Sequence, residues 1–326
     1  MKIPVSLAML GVAVVLSVRM AEAEDVQLRA RAIELMSRAK VASTIKGGPY
    51  SFRTEVTFRT IGMDGARSGN LVRLRGKGLR QDVVWGDYKA SMIGVGMQRA
   101  TLGPWDMQPY SVRQLLLLVP FSVGEFDSED VIREIRDGQT MGQNSTCVLF
   151  ETIRGERRDR DEVCFAKTSG VMLEAQVGGT TYEYTGYREV AGALLPGHIE
   201  YREAGGFSLN ADVSTTKVDS LPEDAFAFPA DAEVRNLCHR FSWPVPLSVP
   251  QPAVGGGESS AVTTVSLQAE VSAEGIVTEA NVIRSDRPEL NAEAVKTVLG
   301  WKYQPGICDG KPGAMTMDIE VRFQGR

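Results

Sequence analysis

Val265-Ser266-Leu267-Gln268-Ala269-Glu270-Val271-Ser272 alternates apolar and polar residues without a break. Period two with one apolar face is the code of a half-buried antiparallel strand, because successive side chains leave opposite faces of a pleated chain. Ala273-Glu274-Gly275 follows as a turn, and Ile276 to Ile283 reads as the return strand. Near the C-terminus the code recurs: Met315, Met317, Ile319, Val321 and Phe323 share one face, and Thr316, Asp318, Glu320 and Arg322 the other. Between them Pro288-Glu289-Leu290-Asn291 announces a helix, with Asn291 or its neighbour as cap. Leu290, Ala294, Val295 and Val298 form its apolar stripe and Gly300 stops it. Residues 261–326 therefore read as a ββαβ domain.

Several local motifs fall in a specific order within this stretch. They are Glu274-Gly275-Ile276-Val277, Val282-Ile283-Arg284-Ser285, Leu290-Asn291-Ala292-Glu293-Ala294, Trp301-Lys302-Tyr303-Gln304-Pro305 and Gly310-Lys311-Pro312, closed by the strand to Phe323. In that order and spacing the 66 residues resemble the TonB C-terminal domain family. One departure is visible: where the family has a Tyr-Pro pair and then Ala-Arg ahead of the first strand, this chain reads Val249-Pro250-Gln251-Pro252-Ala253-Val254-Gly255-Gly256-Gly257. The resemblance implies that the last strand pairs with a short segment of an outer-membrane transporter. By position that partner-binding edge is Met315, Thr316, Met317, Asp318, Ile319, Glu320, Val321, Arg322 and Phe323. Three strands and one helix do not close, so a strand keeps a row of free backbone donors and acceptors for such pairing. The alternative is a module that pairs only with itself or with the first domain.

The chain has 326 residues, 43% hydrophobic and 24% charged, which is ordinary globular composition with room for two folded units and a linker. Residues 1–23 belong to neither. Met1-Lys2, the apolar run Ile3 to Val18 and Ala21-Glu22-Ala23 read as a secretory signal peptide cleaved after Ala23. The alternative is an uncleaved inner-membrane anchor facing the periplasm, for which the run is short. The net charge of -5 and the lack of a basic cluster leave no electrostatic footprint for nucleic acid. The mixed-sign run Arg154 to Glu162 reads as a solvated hairpin tip.

Four cysteines in a secreted chain invite pairing. Cys147 and Cys164 sit in strand-like runs joined by the charged tip, so a bridge across a hairpin is easy. A second bridge, Cys238 to Cys308, would staple the segment leaving the first domain to the C-terminal module. Zinc is the poorer reading, since no Cys-x-x-Cys occurs and His239 is the only histidine beside a cysteine.

Residues 24–236 form the larger first domain. A helix is expected from Asp25 to about Ile45, with Leu28, Ala32, Leu35, Ala39 and Ala42 on one face. Strands follow at Phe52–Arg59, Leu71–Arg75, Leu79–Trp85 and Ala90–Leu102, and again from Thr146 to Val218 in short alternating runs. Val112–Val119 and Ser128–Arg136 are the expected internal helices. One helix before many antiparallel strands and two within them point to a strongly curved antiparallel sheet enclosing helices, an α+β architecture. Cys164-Phe165-Ala166-Lys167-Thr168-Ser169-Gly170-Val171-Met172-Leu173-Glu174-Ala175, with Leu194-Leu195-Pro196-Gly197-His198-Ile199-Glu200-Tyr201 and Leu221-Pro222-Glu223-Asp224-Ala225-Phe226, is similar to the half-barrel of LolA and LolB periplasmic lipoprotein carriers. The likeness implies a curved sheet that handles lipid, although its Leu115 to Phe121 segment reads as core rather than pocket.

Residues 237–260 carry Pro244, Pro246, Pro250, Pro252 and three glycines and read as a linker. Its proline-bearing half spans only about 30 Å extended, short of the spacer of a TonB energy transducer. Residues 1–23 also contain no histidine of the kind the family's motor-coupled anchor carries. Catalytic chemistry is not legible: there are two histidines, His198 and His239, no phosphate-cradling loop follows Gly255-Gly256-Gly257, and no cofactor or metal motif occurs. Two functions are expected from this reading. One is a non-enzymatic periplasmic adaptor in envelope transport, recognising an outer-membrane transporter or envelope peptide by strand addition. The other is a periplasmic lipid or lipoprotein carrier that docks through its TonB-like module.

Overall fold

The computed structural model describes residues 6–48, 50–62, 65–154, 157–252, 262–285 and 287–324. In chain order the elements begin with α1 (Ser6–Ser43), β1 (Ser51–Gly62), β2 (Gly65–Arg75), β3 (Leu79–Trp85), β4 (Tyr88–Val95), β5 (Gln98–Leu102) and α2 (Tyr110–Leu118). Nine strands follow: β6 (Val131–Thr140), β7 (Gln143–Arg154), β8 (Arg157–Ala166), β9 (Met172–Val177), β10 (Thr180–Thr185), β11 (Arg188–Val190), β12 (Ala193–Leu195), β13 (His198–Glu203) and β14 (Ser208–Val218). The remainder is β15 (Glu233–Asn236), β16 (Phe241–Ser242), β17 (Val245–Ser248), β18 (Val262–Val271), β19 (Val277–Ser285), α3 (Asn291–Leu299), β20 (Lys302–Gln304), β21 (Gly306–Cys308), β22 (Lys311–Gly313) and β23 (Met315–Gln324). The protein is thus mostly β with three α-helices among the described residues, an α+β composition. Among them no helix is long and apolar enough to cross a membrane.

Two compact units emerge. One holds Met1–Pro49, Val56–Ala66 and Leu118–Lys217; the other holds Tyr50–Glu55, Arg67–Leu117 and Val218–Arg326. The C-terminal module shares its unit with β2 to β5.

In the first unit the strands run in the order β14-β13-β10-β9-β8-β7-β6. Helix α1 lies against β6 and β12 through Ala32, Met36, Ala39 and Ser43, a buried spine at helical spacing. Three expectations change here. Ser128–Arg136 is not a helix: Val131–Thr140 is a strand paired with β7. A bulge between Ile132 and Glu134 inserts one residue, so Ile132 and Ile135 face the same side despite a spacing of three. That spacing is what imitates a helix in the sequence. The charged run from Arg154 is largely strand rather than tip, with residues 155 and 156 outside the described residues. Asp161 within it is buried, accepting from the Thr152 hydroxyl at 2.9 Å and the Gly178 N–H at 2.8 Å. A further short hairpin, β11–β12, lay hidden between expected strands.

In the second unit the order is β15-β5-β4-β3-β2. Ala90–Leu102 is two strands rather than one, split at Gly96, whose φ of 58° suits a residue without a Cβ. Leu74, Ile93 and Ala100 pack with Ala225 and Phe226. Helix α2 buries Val112 and Leu115 and exposes Leu117, so the four-leucine run is one amphipathic turn of core.

The C-terminal module is a three-stranded sheet, β19-β18-β23, with α3 on one face. Val265, Leu267, Ala269 and Val271 are all fully buried on β18. They pack with Ala294 and Val298 of α3, with Trp301 and Tyr303, and with Val321 and Phe323 of β23. The cap is the neighbour of Asn291: a 3₁₀ turn, Pro288–Leu290, runs directly into α3, whose N-cap is Leu290 with no side-chain bond. Ile276 lies ahead of β19 and is exposed, and β19 departs from clean alternation at two bulges.

The first half of the expected linker is built into the module. β16 pairs with β21 and β17 with β20, Val249 joins the core, and Cys238 is bonded to Cys308. Residues 253–261, which include the three glycines, lie outside the described residues. Cys147 is bonded to Cys164 across β7 and β8.

Candidate partner-binding edge

Strand β23 has one neighbour, β18, and pairs with it in unbroken register from Val262↔Gln324 to Val271↔Met315. Its other side is an edge among the described residues. In a regular antiparallel ladder the N–H and C=O of one residue point the same way, and neighbouring residues point opposite ways. The Arg322 N–H donates to Gln251 Oε1 at 3.1 Å, so it points away from β18. Two-residue periodicity then turns the backbone groups of Thr316, Asp318 and Glu320 outward as well. These are the residues of the polar face, so the groups that could pair with an added strand belong to residues whose side chains are not in the core. Met315, Met317, Ile319, Val321 and Phe323 bond inward to β18 and carry the apolar face.

Two side chains from elsewhere in the unit reach this edge. Gln251 caps it at Arg322. Arg113 of α2 forks onto Asp318, Nη1 to Oδ1 at 2.7 Å and Nη2 to Oδ2 at 2.6 Å. Glu320 and Arg322 form a looser pair at 3.6 Å. Sequence reasoning found the strand but not Gln251 or Arg113. The only signal for Arg113 is a cation inside a leucine-rich helical run, and Gln251 lies between two prolines with no signal at all.

Gln251 is placed by its neighbours. Trp301 is buried, and its Nε1–H donates to the Pro250 carbonyl at 2.9 Å. Tyr303 is buried too, which pushes its phenol above the ordinary tyrosine value. The described start of the segment that departs from the family pattern, at Pro250, is therefore tied down by Trp301, one of the residues that carries the resemblance.

His198 Nδ1 meets Asp212 Oδ1 at 2.8 Å on an exposed strand pair. The one cluster of metal-ligand type among the described residues is Cys147, Glu162 and Cys164, and its two sulfurs are spent in a disulfide. In the first unit a groove of about 330 Å³ lies between α1 and the ends of β6 to β8. Its lining includes Arg31, Glu34, Arg38, Asp137 and Lys167, and Lys167 and Asp137 pair at 2.8 Å.

Residues 259–324 match the family model of the Gram-negative bacterial TonB protein C-terminal domain. Over the rest of the chain the similar solved structures include LolA-superfamily and DUF1329 proteins. A LolA superfamily protein from Nitrosomonas europaea is 16% identical, over 60% of this chain and 96% of its own, with a TM-score of 0.35. A DUF1329 family protein from Desulfovibrio piger is 12% identical, over 61% and 96%, with a TM-score of 0.40. The MucA/MucB complex of Pseudomonas aeruginosa is 12% identical, over 76% and 83%, with a TM-score of 0.30. No curated protein matches the chain.

Proposed function

We propose that this is a non-enzymatic periplasmic adaptor of the cell envelope, whose TonB-like module recognises an extended segment of an outer-membrane transporter or envelope protein by adding it to β23. The observation that carries the reading is the outer edge of that strand, where Thr316, Asp318 and Glu320 turn their backbone groups away from β18. Backbone pairing supplies much of the affinity in strand addition, and side chains on alternate residues supply selection. The mature chain begins at Glu24 in this reading, which N-terminal sequencing of envelope protein checks. The carrier alternative needs an apolar cavity for an acyl chain, and the groove beside α1 mixes Leu35, Phe165 and Ala166 with charged side chains.

The test is Asp318→Pro in the full mature chain. The Asp318 donor points outward, so proline there removes no bond to β18 and circular dichroism should stay at the wild-type signal. Recovery of outer-membrane transporters from solubilised envelopes should fall to background. A folded variant that recovers them at wild-type level would sink strand addition at β23.

A further inference from the structure

Phe241, Trp243, Val245 and Leu247 stand two residues apart along an extended segment and are 58%, 56%, 54% and 69% exposed. Pro244, between Trp243 and Val245, is buried. Pro246 is in register with the core residue Tyr303. Ser242 and Pro246 are exposed as well, and a bulge between Pro246 and Ser248 interrupts the ladder at Leu247, so the four large side chains lie along one exposed stretch of extended chain. The Phe241 and Trp243 rings meet edge to face with centroids 5.3 Å apart, and Ile276, opposite Lys302, adds another exposed apolar side chain. A monomeric surface rarely keeps such a contiguous row in water.

The charges around the row are lopsided. Lys302 lies across the ladder from Ser248, and Lys311 is in register with Cys308, which is in register with Phe241. Arg240 precedes the row. Among the described residues the side chains of Arg240, Lys302 and Lys311 enter no ion pair. The Asp309 carboxylate accepts from the N–H groups of His239 and Arg240 and also attracts the Arg240 charge. The prolines at 244 and 246 deny the row two backbone donors, which suits an added strand badly. Apolar side chains with an indole among them, flanked by cations, suit the interface of a bilayer with anionic headgroups.

We propose that the row Phe241, Trp243, Val245 and Leu247 docks the protein on an anionic lipid bilayer, with Arg240, Lys302 and Lys311 against the headgroups. This proposal does not depend on strand addition at β23. Of the four tryptophans only Trp243 is exposed, the others being at most 6% accessible. Its emission therefore reports the contact.

The experiment is cosedimentation of the full mature chain with phosphatidylcholine vesicles with and without phosphatidylglycerol, read with tryptophan fluorescence. Binding and a blue shift are expected on the anionic vesicles. Trp243→Phe should keep the binding and lose the shift. Leu247→Asp should abolish sedimentation with unchanged circular dichroism, and Lys302→Glu or Lys311→Glu should each weaken it by about fivefold or more, the loss expected for one lysine near an anionic surface. Equal sedimentation of wild type and Leu247→Asp would overturn the proposal. So would no vesicle binding at all, or a wild-type dimer that Leu247→Asp dissociates without any lipid effect, which would make the row an interface between copies of the chain.

Discussion

Arg113 and Asp318 lie 205 residues apart in sequence, yet both arms of the Arg113 guanidinium grip the Asp318 carboxylate, at 2.7 and 2.6 Å. The pair sits midway along β23, beside backbone groups that face outward. Asp318 is about half exposed and Arg113 mostly covered, so solvent screens the attraction and the fork geometry raises it. Arg113→Ala should lower stability by no more than about 1 kcal/mol. A strand that adds to β23 meets Arg113 at Asp318, so the same variant should bind a transporter segment more tightly. Denaturant unfolding and a binding titration on one preparation check both, and unchanged affinity would mean that Arg113 leaves the edge open.

Gly275 is where the first hairpin of the module touches the chain leaving α3. Its φ is 78°, and a Cβ there would lie 1.9 Å from the Tyr303 carbonyl oxygen. The Tyr303 N–H also donates to the Gly275 carbonyl at 2.8 Å. Gly275→Ala meets backbone, which cannot swing aside, in a conformation that costs L-residues about 1 kcal/mol or more before any clash. The expected loss is at least about 2 kcal/mol. Thermal unfolding of the variant measures it, and a Tm within a degree or two of wild type would contradict the geometry.

The two disulfides close loops of different length, with sequence separations of 17 for Cys147–Cys164 and 70 for Cys238–Cys308. Chain-entropy arithmetic gives about 3 kcal/mol for the first and about 4 kcal/mol for the second. Paired alanine variants should therefore rank in that order. Loss of Cys238–Cys308 should also free β16 and β17, raising hydrogen exchange at 241–248 while β18 stays protected. Non-reducing peptide mapping tests the pairing itself.

Asp309 accepts the Arg240 N–H at 2.9 Å and the His239 N–H at 3.1 Å, beside the Cys238–Cys308 bridge. Those backbone bonds favour the charged carboxylate and hold its pKa below the ordinary aspartate value. A depressed pKa adds stability that is present above the unfolded value and lost as pH falls through the folded one. Protection of the Arg240 amide should hold at neutral pH and decline only in acid, below the range where a free aspartate titrates. Asp309→Asn should flatten that dependence, which hydrogen exchange across a pH series would read.

The C-terminal module was legible because its signals are local. Apolar residues at 265, 267, 269 and 271, and at 315 to 323, mark a strand whatever surrounds them, since a pleated chain turns every second side chain the same way. The stripe 290, 294, 298 marks α3 for the matching helical reason. Those three readings fixed the sheet, the covered face and the presence of an edge. Tertiary structure decided what no window of ten residues contains. The bulge in β6 depends on a partner strand, and without it Ile132 and Ile135 read as a helix. β16 and β17 are short, proline-bearing and linker-like by composition, and they become strands because β20 and β21, about sixty residues on, supply the bonding groups that a proline-rich segment cannot supply itself. Arg113 and Gln251 reach β23 only once the chain has folded, because hydrogen bonds and ion pairs act over a few ångströms of space regardless of sequence distance.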